Sequence, residues 1–308
     1  MTGNDKWNNV KLTVEFASGS LLRLRQLADP RNDMPRNDIP RYGIMVYMVA
    51  FCFLFFVLGL VVGSFLNVLI YRLPRGLNAA KGRSFCPKCK KKISWYDNIP
   101  LLSFVLLKGR CRRCGKKISW RYPVVELLTA VTTILIFNLK FEIFNEFLNY
   151  KVLNFQITID LVLTLVLVYT LIVVFFTDLE TMVIPDEVIL PTSLLLLIRY
   201  GLTDYRLVTG ISAFAFIGLI YLLTKKKGMG FGDVKFALLM GLALGYPNII
   251  IAFYIAFLTG TLVGIILIVL GKAKWKNKIA FGPFLCLGTF VAYFWGNVVV
   301  NWAVRLFL

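Results

Sequence analysis

The stretch Ile157-Thr-Ile-Asp-Leu-Val-Leu-Thr-Leu-Val-Leu-Val-Tyr-Thr-Leu-Ile-Val-Val-Phe-Phe-Thr177 holds one acid, Asp160, and no base in 21 residues, and it runs straight into Asp178. A helix of that length spans roughly 30 Å, the thickness of a bilayer's hydrocarbon core. Comparable apolar runs lie at 44–70, 122–139, 187–202, 207–224, 234–246, 248–270 and 283–304. Hydrophobic residues make up 58% of the 308-residue chain and charged residues 17%, with a mean hydropathy of +0.73. That composition lies far from the soluble-domain average. The predicted fold is an all-α polytopic membrane protein of about eight transmembrane helices carrying one small polar domain.

The charge pattern sets the topology. The net charge is +19, and residues 72–121 alone hold fifteen Lys/Arg against one acid, Asp97. Further basic clusters are Lys225-Lys226-Lys227 and Lys272, Lys274, Lys276 and Lys278. Short loops rich in Lys/Arg stay cytoplasmic, so the charge is read as orientation and nucleic acid is not expected as a partner. Both termini then lie outside, with the nearly charge-balanced loops 140–156 and 203–206, while the ends at Thr177 and Thr224 face the cytoplasm. Residues 1–41 form a polar, proline-containing arm, accessory or appended, with no apolar core before a cleavage site and hence no signal peptide. The domain reading is 1–41 arm, 42–71 first transmembrane helix, 72–121 cytoplasmic four-cysteine domain, and 122–308 transmembrane domain.

Two Cys-x-x-Cys pairs, Cys86-Pro-Lys-Cys89 and Cys111-Arg-Arg-Cys114, are separated by 21 residues. Each such turn aims two thiolates inward, and two turns complete a tetrahedral zinc site. A repeat supports this, because Cys86 to Trp95 aligns with Cys111 to Trp120 at an offset of 25 residues. The expectation is a zinc-ribbon-like fold with structural Zn2+ on Cys86, Cys89, Cys111 and Cys114 and with Trp95 and Trp120 as core aromatics. Disulfides are the alternative, which a reducing cytoplasm disfavours. Four sulfur ligands leave no open coordination position, so the metal holds the fold and does no chemistry. Cys52 and Cys286 sit inside apolar runs as small buried hydrophobes.

The chain has no histidine. Ser-His and Cys-His nucleophiles and His-ligated metalloproteases are therefore excluded. Carboxylates inside a membrane are costly and mark functional sites, and here they are few. Beyond Asp204 the single acid is Asp233, in Gly230-Phe-Gly-Asp233 ahead of an apolar run. Asp178 ends the third run, and the topology puts both aspartates at the cytoplasmic border. Asp160 lies 18 residues before Asp178 on the same helix, about 27 Å away, and is excluded by depth. Glu180, Asp186 and Glu187 fall in a solvated turn, and Glu126 is the best spare carboxylate. Two adjacent carboxylates share one proton, the state that peptide hydrolysis by activated water requires. The bland alternative makes Asp233 a helix cap and Asp178 a solvated helix end.

Taken in order, these residues resemble the type IV prepilin peptidase family, a bacterial group of GxGD-type aspartyl proteases. The resemblance covers about residues 50–300 and includes Gly63-Ser-Phe-Leu-Asn67, Tyr71-Arg-Leu-Pro74, the four cysteines and Trp95-Tyr-Asp-Asn-Ile-Pro100. It continues through Tyr122-Pro-Val-Val-Glu-Leu-Leu128, Asp178 to Asp186, Gly230 to Asp233 and Phe281-Gly-Pro-Phe284. The resemblance implies a peptidase of the bacterial inner membrane that cuts the basic leader from prepilins and pseudopilins after a glycine at the cytoplasmic face. It maps the catalytic pair onto Asp178 and Asp233. The mechanism expected here has the Gly230 and Gly232 backbone help hold the extended scissile segment between them. The resemblance also implies N-methylation of the new terminus with S-adenosylmethionine, and association with a pilus or type II secretion machine. No Gly-rich cofactor loop is present, so the cofactor site is unassigned. Residues 1–41 depart from the family pattern. A transporter using the same two acids, a non-catalytic zinc-stabilised scaffold, and a Ser-Lys peptidase are the rival readings. The basic 72–121 region, unsuited to a basic leader, is matched instead to anionic lipid.

Overall fold

The computed structural model describes residues 41–79, 81–145, 155–201, 203–225, 229–271 and 279–307. The chain divides into two units, Met1–Ala50 and Phe51–Leu308, and the first is described only over 41–50. The expected arm at 1–40, part of the loop at 140–156, Lys226 and Lys227, and the lysines at 272–278 lie outside the described residues.

Among the described residues the chain forms nine α-helices. They are α1 (Arg41–Arg72), α2 (Leu102–Leu106), α3 (Arg121–Asn145), α4 (Phe155–Thr181), α5 (Asp186–Tyr200), α6 (Tyr205–Leu223), α7 (Phe231–Leu244), α8 (Asn248–Val269) and α9 (Gly282–Phe307). Every apolar run of the sequence becomes a helix. Six of them, α1, α3, α4, α6, α8 and α9, are long and apolar enough to cross a membrane. The helices α5 and α7 have 15 and 14 residues, roughly 21–23 Å of rise, short of a ~30 Å core. Among the described residues the protein is thus polytopic, with six helices of spanning length and two shorter apolar ones, α5 and α7.

The shorter α7 is largely enclosed by protein. Ten of its residues are buried, among them Phe236, Ala237, Leu239 and Met240, each with no exposed surface. It packs against α5, α6, α8 and α9. A helix apolar on every side is one surrounded by protein or by lipid, and composition does not distinguish the two. The outer helices show the opposite pattern, with Phe53, Leu54, Leu58 and Val61 of α1 left exposed for lipid.

Small residues set the close crossings. A Cβ on Gly63 would lie 2.7 Å from Glu126 Cα, and one on Gly59 would lie 2.6 Å from Ala130 Cα. The backbones of α1 and α3 therefore touch along one glycine stripe, the small-residue packing that membrane helices use.

Between α1 and α3 the cysteine segment folds without a sheet. Two isolated antiparallel bridges, Phe85 to Lys92 and Arg110 to Lys117, sit at the 25-residue offset of the repeat. Their turns close identically. Lys90 N–H donates to Cys86 O at 2.8 Å, and Gly115 N–H donates to Cys111 O at 2.9 Å. Both turn residues take a left-handed φ, 57° at Lys90 and 66° at Gly115. Contrary to expectation, Trp95 and Trp120 are not core residues, being 75% and 73% exposed. The cysteine cluster itself supplies the interior of so small a unit, leaving no room for two indoles.

The segment is tied down by buried polar groups. The guanidinium of Arg72 donates to the carbonyls of Asn78, Lys81, Gly82 and Arg83 at 2.7–3.2 Å. Asn67 Nδ2 donates to Tyr122 O at 3.0 Å, joining α1 to the start of α3. Glu126 Oε2 accepts the N–H of Leu101 at 2.9 Å. Leu101 has φ 56°, an uncommon conformation for a residue with a side chain, and the carboxylate holds it there.

Candidate active site

Asp178 occupies the last turn of α4 and is 5% exposed; Asp233 occupies the first turn of α7 and is 6% exposed. Three contacts bring these helix ends together. Gly282, the first residue of α9, donates its N–H to Asp178 Oδ2 at 2.8 Å. Ile184, in the link after α4, backs against Gly232, where an added Cβ would come within 3.0 Å of the isoleucine. Lys235 Nζ donates to Asp186 Oδ2 at 2.6 Å, clamping the start of α5 onto the first turns of α7. Cys286 lies one turn beyond Gly282 on α9 and is buried on the same side of the helix set.

The local geometry modifies the bland alternative. Gly230 is the N-cap of α7, and Asp233 is its third residue, taking the Gly230 N–H on Oδ2 at 3.0 Å. That is the carboxylate half of a capping box. The other oxygen, Oδ1, is buried without a hydrogen-bond partner among the described residues. A cap needs one oxygen, so the second is free for a water or a substrate. Asp178, buried and bonded to another helix, is not a solvated helix end.

The remaining acids go elsewhere. Asp160 pairs with Arg199 at 3.0 Å, at the far ends of α4 and α5. Glu180 pairs with Arg121 at 2.7 Å. Glu126 is committed to Leu101, inside the seam between α1, α3 and the cysteine segment.

The four thiols of Cys86, Cys89, Cys111 and Cys114 converge, with all sulfurs within 4.8 Å of one another and Cys86 to Cys114 at 4.0 Å. None of the cysteines forms a disulfide. A tetrahedral zinc with bonds of about 2.3 Å sets its sulfurs about 3.8 Å apart, so the donor set fits a metal ion closely.

A cavity of about 480 Å³ lies beneath this segment, with Asn67, Tyr71, Arg121, Tyr122, Glu126 and Glu180 among its lining. Two polar atoms in its wall, Asn67 Oδ1 and Arg121 Nε, are buried without a hydrogen-bond partner among the described residues. Glu180 follows Asp178 by two residues on α4, so the cavity adjoins the same end of that helix.

Known proteins match both halves of the chain. Residues 165–265 match the type IV leader peptidase family, and residues 57–140 match the bacterial peptidase A24 N-terminal domain. A prepilin leader peptidase/N-methyltransferase of Legionella pneumophila is 33% identical over 82% of this chain and 95% of its own length. The chain belongs to the type IV leader peptidase family. Proteins of the same name from Aeromonas salmonicida and Pseudomonas aeruginosa are 32% and 30% identical, over 83% and 82% of this chain and 94% and 93% of their own. No solved structure matches it. In this leader peptidase family member both aspartates fall in the C-terminal match, and the cysteines, Asn67 and Glu126 fall in the N-terminal one. Gly282 lies beyond both matches, and its contact with Asp178 had no sequence signal beyond the Phe-Gly-Pro-Phe motif. Arg121 and Asn67 also went unassigned as site residues, because a basic residue or an amide at a helix end carries no chemistry until its neighbours are known.

Proposed function

We propose that this chain is a membrane aspartyl endopeptidase of the bacterial inner membrane. It removes the basic leader of type IV prepilins or pseudopilins after a glycine, at the cytoplasmic face. The observation that supports the reading is the burial of Asp178 and Asp233 at helix ends tied together through Gly282, Ile184 and the Lys235–Asp186 pair. Relatives named prepilin leader peptidase/N-methyltransferase support the substrate and the second activity.

Neighbouring carboxylates share one proton. The ionised member takes a proton from water as the water attacks the scissile carbonyl, and the protonated member donates to the carbonyl oxygen. The proton then passes to the leaving amine as the tetrahedral intermediate collapses. No covalent intermediate is needed. Gly282 orients Asp178, and the Gly230–Gly232 backbone lines the approach to Asp233. The apolar helix of the substrate enters between spans, and its leader junction unwinds at the border.

The cysteine cluster would hold Zn2+ through four thiolates. Closed coordination gives the ion a structural role and stabilises the two knuckles against each other. The cavity is the best place for S-adenosylmethionine, whose sulfonium supplies a methyl group to the newly freed amine. Tyr71 and Tyr122 offer ring faces for a base. The Arg121–Glu180 ion pair, together with Glu126, which also holds Leu101, supplies charged groups to the cavity wall. The unpartnered Asn67 and Arg121 atoms support that fit.

Incubating the purified protein with a prepilin peptide and S-adenosylmethionine, followed by product masses, tests both steps. Cleavage after glycine and one added methyl are expected. Retained cleavage by Asp178→Asn or Asp233→Asn would refute the dyad.

A further inference from the structure

The cysteine segment presents an apolar surface where a soluble domain would not. Leu102, Val105 and Leu106 of α2 are 51%, 70% and 70% exposed, and Trp95 and Trp120 more so. These residues form one surface. Trp120 packs on Phe104 of α2 with ring centroids 5.2 Å apart, and α2 packs on the turn Trp95–Asn98, where Trp95 meets Tyr96 at 5.7 Å. Large exposed apolar patches rimmed by polar residues mark interaction sites.

The segment that carries this surface is cationic. Residues 72–121 hold fifteen Lys/Arg and one acid. Lys90, Lys91 and Lys92 in the first copy of the repeat and Lys116 and Lys117 in the second are all exposed. The segment is also tethered at both ends to spanning helices, since α1 ends at Arg72 and α3 begins at Arg121, directly after Trp120. Trp120 therefore sits at a membrane border by chain connectivity alone. Indoles and basic side chains together are the chemistry of the headgroup region.

We propose that this face docks onto the bilayer surface, with Trp95, Trp120 and the exposed residues of α2 entering the interface and the flanking lysines engaging acidic phospholipid headgroups. The docking holds the cysteine segment down beside the helix ends that carry the aspartates. It accounts for the two duplicated tryptophans at once: each closes one knuckle and points its ring out of it. A basic leader peptide is a poor occupant, because it would meet like charge. The inference is independent of the peptidase reading, because its readout is fluorescence and not cleavage.

The test uses the full chain in nanodiscs containing phosphatidylglycerol whose acyl chains are brominated close to the headgroup. Subtracting the emission of a Trp95→Phe/Trp120→Phe variant from that of the parent isolates the two indoles. Their emission should be quenched at least about twofold by brominated lipid and shielded from aqueous acrylamide. A Lys90→Glu/Lys91→Glu/Lys92→Glu variant, which keeps both tryptophans, should lose at least about half of that quenching, as should discs of phosphatidylcholine alone. Zinc content per chain reports whether each variant retains its fold. Indoles open to acrylamide and blind to brominated lipid would overturn the proposal. So would indoles shielded from acrylamide without lipid quenching, which would place a second protein surface there. If docking is found while leader cleavage is absent, the proposed activity fails and the docking stands.

Discussion

Replacing Gly282 with alanine is the sharpest probe of the site, because it changes no charge and no polar atom. The new Cβ would lie 2.7 Å from Asp178 Oδ2, 2.9 Å from Cγ and 3.0 Å from Cβ. Ordinary contact begins near 3.4 Å, so the carboxylate must retreat by about 0.7 Å or α9 must shift by as much. Either movement stretches the 2.8 Å bond from the Gly282 N–H. Misplacing a reacting group by about 1 Å costs on the order of 10²-fold in rate. We therefore expect kcat for leader-peptide cleavage to fall roughly 10- to 100-fold with KM little changed. Loss of a bond to a buried carboxylate adds about 1–3 kcal/mol of destabilisation. The control is Gly218→Ala on α6, whose added Cβ would meet nothing closer than Val234 at 3.5 Å, and it should cleave as the parent does. Initial rates by product mass in detergent, with thermal unfolding alongside, decide the matter. Cleavage at the parental rate by Gly282→Ala would mean that the Asp178 position is not critical, and the dyad reasoning would fail with it.

Asp178→Asn and Asp233→Asn should each lower cleavage by at least about 10³-fold while leaving thermal unfolding near that of the parent, since neither carboxylate forms an ion pair among the described residues. Metal analysis of the purified protein should find one zinc per chain, and Cys86→Ser or Cys111→Ser should lose it and destabilise the 73–120 segment to proteolysis. Gly63→Leu should disrupt the packing of α1 on α3 through the contact with Glu126 Cα and cost a few kcal/mol, read as lowered thermal stability and lowered expression. Asn67→Ala should weaken S-adenosylmethionine binding by about 10-fold in equilibrium dialysis, while cleavage of the leader continues.

How far the fold could be read in advance depended on what each residue reports. The turns of the cysteine repeat were legible, because a ligand pair with its turn is a local unit; both copies close on the carbonyl of their first cysteine through an equivalently placed left-handed residue, Lys90 or Gly115. Asp178 and Asp233 were legible as candidates because a carboxylate between apolar runs is conspicuous. The contacts that join them were not. Gly282 to Asp178 spans 104 residues, and nothing local to Gly282 announces a partner. Apolar composition marked all eight runs but did not tell which helix is enclosed by protein: α7 is as apolar as a lipid-facing helix and packs against four others. The tryptophans misled in the opposite way. An indole beside a metal knuckle reads as core, but a unit held by four sulfurs has little interior to fill, and both rings face outward.

The three helix ends around the aspartates have an electrical consequence. Asp178 sits at the C-terminal end of α4, while Asp233 and Gly282 sit at the N-terminal ends of α7 and α9. A helix carries roughly +0.5 of an elementary charge at its N-terminus and −0.5 at its C-terminus, so two positive ends outweigh one negative. The remainder suits a single negative charge, neither two nor none. Hydrolysis by the proposed proton-sharing pair would conserve that charge: water, tetrahedral intermediate and departing amine would exchange protons while the site stayed at minus one throughout. The same fixed dipoles would then serve every step, and none would have to reorient between them.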